Sequence, residues 1–212
     1  MQAPGYDVRC IIDLRDRIVE EDRDTLSTTA SEAWTIFAFD TPGLQIRPLH
    51  GDDEALYVSL YSDAEVMRHV GAPLVPVQAA TAFQRVLRGM LQVPPAALYW
   101  TLRPHGAREA VGMMALLPDA GRASAELGLV LRPDAQGRGH ASEAITALQG
   151  QLSRRHAPHR LWTRHVAANA AATGLMRRMR FSPESGSDGW LHWSSVRDDW
   201  PAAMPVAQTH VP

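Results

Sequence analysis

Three apolar runs in series, "ALYWTLRP" (97–104), "EAVGMMALLP" (109–118) and "SAELGLVLRP" (124–133), lead directly into "DAQGRGHASEAITALQGQL", where the period changes from two to that of a helix. No other feature constrains the fold as much. Gly, Pro, Arg and Asp punctuate the runs, which therefore read as antiparallel strands in succession. The third strand passes through a Pro and two glycines into a helix whose apolar stripe is Ala141, Ala144, Ile145, Leu148 and Leu152. "HRLWTRHV" (159–166) is the next strand, "NAAATGLMRRM" (169–179) the next helix and "GWLHWSSV" (189–196) a late strand. The order predicts a mixed sheet with one βαβ unit inside it, in the α/β (α+β) class.

Upstream, "LQIRPL" (44–49) reads as a strand and "GDDEALYVSLYSDAEVMRHV" (51–70) as one or two helices with an acidic first turn. "VQAATAFQRVLRGML" (77–91) is a further helix, set off by prolines at 73, 76, 94 and 95. Residues 1–43 combine an amphipathic "VRCIIDLRDRIVEE" with an apolar "EAWTIFAFD" and fit either a helix with an edge strand or an arm without regular structure. At 212 residues and 45% hydrophobic, the chain is long enough for one domain with a substantial core. We expect an extension over 1–43, a domain over 44–200 and a loose tail over 201–212. Apolar runs fall short of a membrane span, and the N-terminus lacks the basic start and apolar segment of a secretory signal, so the expected location is cytoplasmic with no membrane partner. Cys10 is the one cysteine, which leaves no pairing within this sequence and no multi-thiolate metal site; it is expected as a buried small residue.

The glycine-rich turn raises a question of charge. All 21 basic residues are arginine, and nine lie between Arg132 and Arg180 against only Asp134 and Glu143, a formal +7 in a chain of −2. The overall balance gives no general attraction to nucleic acid, so no direct nucleic-acid partner is expected. A small phosphorylated ligand suits the segment better: backbone N–H groups in the first turn of a helix form an anion site, glycines permit close approach, and an arginine adds a charged fork. The Walker pattern is absent, since it requires a lysine. A dinucleotide fold would place a third glycine where Ser142 stands and an acid about 20 residues on, yet no Asp or Glu occurs between Glu143 and Glu184. A pyrophosphate held at a helix start beside an antiparallel sheet is what remains.

"LRPDAQGRGHASEA" resembles the acyl-CoA pyrophosphate loop of the Gcn5-related N-acetyltransferases (GNAT), with the spacing of the bacterial ribosomal-protein N-terminal acetyltransferase (RimJ/RimL-like) branch. "LQIRPLHGDDEALYVSLYSDAEVMRHVG" (44–71), "AELGLVL" (125–131), "NAAATGLMRRMRF" (169–181) and the terminal "W...DDW" extend the likeness to about residues 44–200. The resemblance implies a mostly antiparallel sheet with splayed strands and flanking helices. It implies acetyl-CoA as acyl donor, with the backbone of Leu129, Val130 and Leu131 along the pantetheine arm. Gln136, Gly137, Arg138, Gly139, His140 and Ala141 would stand at the pyrophosphate and Asn169 near the thioester. Asn169 is equally placed to cap the helix after it. Where relatives carry a tyrosine able to protonate the departing thiolate, this chain has Met176, and Ala172 and Arg180 also depart from the pattern.

Acetyl transfer to an amine requires removal of a proton, support for a developing oxyanion and orientation of two substrates. Glu126, on the strand leading to the splay, is the first candidate base, and His165, at the end of the neighbouring parallel strand, the second; each is also an ordinary structural residue in the alternative reading. His156, His159 and His165 lack metal-ligand spacing, so no metal is expected. There is no Gly-x-Ser-x-Gly elbow for a serine hydrolase. The reading is N-acetyl transfer from acetyl-CoA to a primary amine, with a protein or peptide N-terminus as first choice. A small-molecule or antibiotic amine is the alternative acceptor, and a non-catalytic CoA-binding regulatory module the alternative class. A monomer or homodimer is expected.

Overall fold

The structure is a computed structural model that describes residue 34 and residues 37–155, 158–186 and 189–202. The amphipathic stretch with Cys10, the acidic "EEDRD" (20–24), His156 and the tail from 203 lie outside the described residues. One eight-stranded sheet organises the rest, built from β1 (Phe39–Asp40), β2 (Leu44–Pro48), β3 (Leu98–Pro104), β4 (Gly112–Pro118), β5 (Ser124–Leu131), β6 (Arg160–Val166), β7 (Ser182–Glu184) and β8 (Trp190–Val196). Their order is β1-β2-β3-β4-β5-β6-β8-β7, every pair antiparallel except β5 with β6. The helices are α1 (Glu54–Ser62), α2 (Ala64–Met67), α3 (Pro76–Met90), α4 (His140–Leu152) and α5 (Ala170–Arg178). The mixed α/β sheet with its βαβ crossover through α4 is the predicted architecture.

One expected pattern is not observed, and two segments left open by the sequence take a definite form. β3 and β4 were expected to alternate, but five successive residues of each, Leu98–Leu102 and Gly112–Leu116, are buried, because helices cover both faces of the sheet there. The segment 51–70 forms two helices: Asp63 breaks it and caps the second, its carboxylate accepting from the backbone N–H of Glu65 and Val66. The segment before residue 44 is also part of the core. Trp34 is 1% exposed, Phe39 is buried, the Trp100 Nε1–H donates to the Phe37 carbonyl at 2.7 Å, and the Arg155 guanidinium lies 3.9 Å from the centre of the Phe37 ring.

Two apolar layers sandwich the sheet. On one face, Leu44, Trp100, Leu127, Leu131 and Leu161 pack with Ala144, Ile145, Leu148 and Leu152 of α4, the predicted stripe, and with Met176 of α5. On the other, Tyr99, Met113 and Ala115 pack with Tyr57, Leu60 and Tyr61 of α1 and Ala79, Phe83 and Val86 of α3. Residues of β5 alternate between the two layers: Leu127, Leu129 and Leu131 face α4, while Val130 packs in the α1/α3 layer.

Candidate active site

β5 and β6 pair over three residues only, Ser124–Arg160, Ala125–Leu161 and Glu126–Trp162. Beyond that point β5 continues to Leu131 and β6 to Val166 without pairing, so the two strands diverge into a wedge near the middle of the sheet. Arg132 donates its backbone N–H to Val111. By the period-two alternation of a strand, Val130 and Gly128 therefore direct their backbone groups to β4, and Leu127, Leu129 and Leu131 direct theirs into the wedge. Of the three residues expected along the pantetheine arm, the geometry gives that edge to Leu129 and Leu131. Val130 instead contributes a side chain to the opposite layer.

At the open end of the wedge the chain turns sharply. A short 3-10 turn, Pro133–Ala135, leads to Gly137 at φ 72° and Gly139 at φ 87°, both in the left-handed region that a Cβ penalises. Gly139 then begins α4 without a side-chain cap. The N–H groups of His140, Ala141 and Ser142 precede the first intrahelical donor, the Glu143 N–H that goes to the Gly139 carbonyl at 3.0 Å, and lie at the positive end of the helix. Gly137, Arg138 and Gly139 are exposed, and His140 and Ala141 half-buried. The Gln136 backbone N–H goes to the Pro133 carbonyl at 3.2 Å and its Nε2–H to the Leu131 carbonyl at 3.1 Å, which braces the loop. Glu143, not singled out in the sequence, accepts the Gly43 N–H at 2.6 Å and ties the first turn of α4 to the turn before β2. Asn169 caps α5, its Oδ1 accepting the Ala172 N–H at 3.0 Å, as the helix-capping alternative requires.

The two candidate bases stand on opposite faces of the sheet. Glu126 is level with Trp162 on the face of α1 and α3, whereas His165 projects to the other face and stacks on Trp193, ring centres 6.2 Å apart. His165 is buried, its Nδ1 is 3.0 Å from the Val166 carbonyl, and its Nε2 has no hydrogen-bond partner among the described residues. Parity along β6 puts Trp162 and Arg164 on the Glu126 side and Thr163 and His165 on the reverse. Met176 is buried in the α4/α5 layer, where its thioether has no proton to give.

Two residues that local sequence signals did not mark join Glu126. The Arg164 Nε lies 3.6 Å from Glu126 Oε1, and its guanidinium sits 5.6 Å from the centre of the Trp190 ring. Tyr99, 1% exposed, has a hydroxyl with no hydrogen-bond partner among the described residues; burial first, then the neighbouring Tyr61, Tyr57 and Glu126, holds it well above the ordinary phenol range. Farther along that face the Trp162 indole N–H donates to Asp119 at 3.2 Å, Ser124 also donates to Asp119, and Arg160 pairs with Glu184. A strand with an open backbone edge, a left-handed glycine turn at its end and a helix start beyond together suit an extended ligand with a pyrophosphate at one end.

The family model for an acetyltransferase (GNAT) domain matches residues 43–182, from the turn held by Glu143 to the start of β7. The chain belongs to the GNAT acetyltransferase family. Membership carries the family's reaction, acetyl transfer from acetyl-CoA to an amine. No curated protein matches the GNAT chain in sequence. Among solved structures, it is similar to an acetyltransferase from Agrobacterium tumefaciens at 20% identity and TM-score 0.65, over 82% of this chain and 99% of that one. It is also similar to an acetyl transferase from Salmonella typhimurium that modifies the N-terminal serine of ribosomal protein L7/L12, at 17% identity and TM-score 0.63, over 74% and 96% of the two chains. A spermidine N-acetyltransferase from Vibrio cholerae, in complex with CoA and spermine, matches at 15% identity and TM-score 0.63, over 74% and 96%. At these identities the likeness establishes the GNAT fold, and two acceptor chemistries share it. Among the described residues no cluster of His, Cys, Asp and Glu is suited to a metal ion, and no helix is long and apolar enough to cross a membrane.

Proposed function

We propose that this GNAT enzyme acetylates the α-amine of a peptide or protein, with Glu126 as the base and the donor lying along β5. One observation carries the reading: β5 presents Glu126 at its last paired position, an open backbone edge over the next five residues and the Gly137–Gly139 turn at its end. A chain of this length, at about 3.3 Å per residue, spans an extended pantetheine arm. Leu129 and the Leu131 N–H offer backbone partners to the arm, and the first turn of α4, with Arg138 and His140 beside it, receives the pyrophosphate.

Glu126 takes a proton from the acceptor ammonium, directly or through a water. The C–N bond forms as the C–S bond breaks, and the leaving sulfur draws its proton from water, since Met176 cannot provide one. The charge on the Glu126 face favours an acceptor that is not a polycation. Arg160, Arg164 and His192 line β6 and β8 there, and the nearby acids Asp119 and Glu184 already have partners. Acetyl transfer to short peptides differing in their first two residues should exceed transfer to polyamines and aminoglycosides; robust turnover confined to polycations overturns the acceptor assignment. Gly139→Val should weaken CoA affinity well over about tenfold by calorimetry in a folded protein, because a β-branched residue resists the left-handed turn.

A further inference from the structure

Arg164 follows the last β5–β6 pair by two residues and shares its sheet face with Glu126. Its guanidinium reaches back across the mouth of the wedge to the carboxylate at 3.6 Å, both side chains being about four-fifths buried at 21% and 18% exposure, with Trp190 behind it. Level with Arg164 on the other side of the wedge is Gly128, which is only half-buried although it lies on a central strand. The fold does not demand a glycine there: a Cβ would meet only the Ala115 Cβ, at 3.9 Å. A space without a side chain thus lies beside a carboxylate and a guanidinium set next to each other.

An α-amine matches that pair. Its nitrogen and the carbonyl oxygen of the same residue are roughly 3 Å apart, close to the spacing of the two charged groups, whereas the amine of a polyamine or a lysine side chain has no oxygen at that distance. We infer that Arg164 is a specificity-determining residue, donating to the oxygen adjacent to the reacting amine while Glu126 receives the ammonium, so that the site selects α-amines next to a carbonyl or carboxylate. The inference rests on the acetyl transfer proposed above and names the feature of the acceptor that the site reads.

The test compares an α-amino amide with the same amine carrying a methyl group in place of the carboxamide, measuring kcat/KM with acetyl-CoA and Kd by calorimetry in the presence of CoA. The wild type should favour the amide by roughly 10- to 100-fold in both, the range of a hydrogen bond to a charged group. Arg164→Met should bring both ratios close to one, with CoA affinity retained, and Arg164→Lys should restore part of the preference. A ratio that survives Arg164→Met overturns the inference, as does a variant that loses both amines equally, which would make Arg164 a support for Glu126. If Arg164→Met does not fold, Gly128→Val provides the second arm: filling the space should lower use of the amide with CoA affinity intact, and an unchanged rate and preference overturns the inference. Acetyl transfer without discrimination in the wild type defeats this inference alone, whereas CoA binding without transfer to any amine defeats the proposed function as well. A free amino acid and its dipeptide, run side by side, tell whether a carboxylate or a peptide carbonyl is the natural partner.

Discussion

At the scale of residues, the site depends on a few side chains whose partners define their work. Glu126→Gln keeps the shape and removes the charge, so CoA affinity should persist while kcat falls by about 10²–10⁴-fold; a rate equal to the parent's would remove Glu126 from the proton path. Tyr99 and Tyr57 bear on pH dependence. Burial raises both phenols above their ordinary value of 10.0, so folding favours the protonated forms. The stability they contribute is intact below the unfolded value and is lost as pH climbs beyond it. Thermal unfolding followed through the alkaline range should show Tm declining past about pH 10, and Tyr99→Phe should flatten that decline. At neutral pH the same substitution should cost nothing, because the hydroxyl it removes has no hydrogen-bond partner among the described residues; a lower Tm there would reveal a partner. The glycine turn and Glu126 were legible in the sequence because they depend on local spacing along one strand. Arg164 and Tyr99 were not, since their nearness to Glu126 arises from register across β5–β6 and across β3–β4–β5.

At the scale of elements, the βαβ unit was legible because its period changes at a marked turn, and the late strand because its aromatic residues favour extended chain. β7 was not: its three residues are exposed, include Pro183 and carry no pattern, and they become a strand only by pairing with β8. That β8 lies between β6 and β7 is likewise a property of the assembled sheet. The contact between α4 and the turn before β2 spans 100 residues of sequence through one carboxylate, Glu143, whose Oε1 takes the Gly43 N–H and whose Oε2 would lie 2.7 Å from a Cβ placed on Gly43. Glu143→Ala should lower stability by about 1–3 kcal/mol, since it leaves that N–H without its acceptor and removes an acid from the first turn of a helix. Chemical denaturation with an unchanged m-value checks this, and an unaltered midpoint would mean that water replaces the carboxylate fully.

At the scale of the molecule, residues before position 44 contribute to the core. Trp34, Phe37 and Phe39 close one end of the α4 layer, and β1 continues the sheet. A chain shortened to begin at residue 42 should lose cooperative unfolding or show a strongly lowered Tm, and Trp34→Ala in the full chain should cost about 3–5 kcal/mol; a shortened chain that melts like the parent would show these aromatics to be dispensable. The brief pairing of β5 with β6 has a different consequence at this scale. The sheet is two half-sheets sutured at one end by three residue pairs, and a donor lying along the open edge, as proposed, would complete the ladder. Ligand concentration then enters the folding equilibrium by mass action: donor at a hundred times its Kd adds about 2.7 kcal/mol to the folded state. Resistance to heat and to proteolysis would therefore follow the coenzyme supply, coupling how long the protein lasts to whether it has anything to transfer.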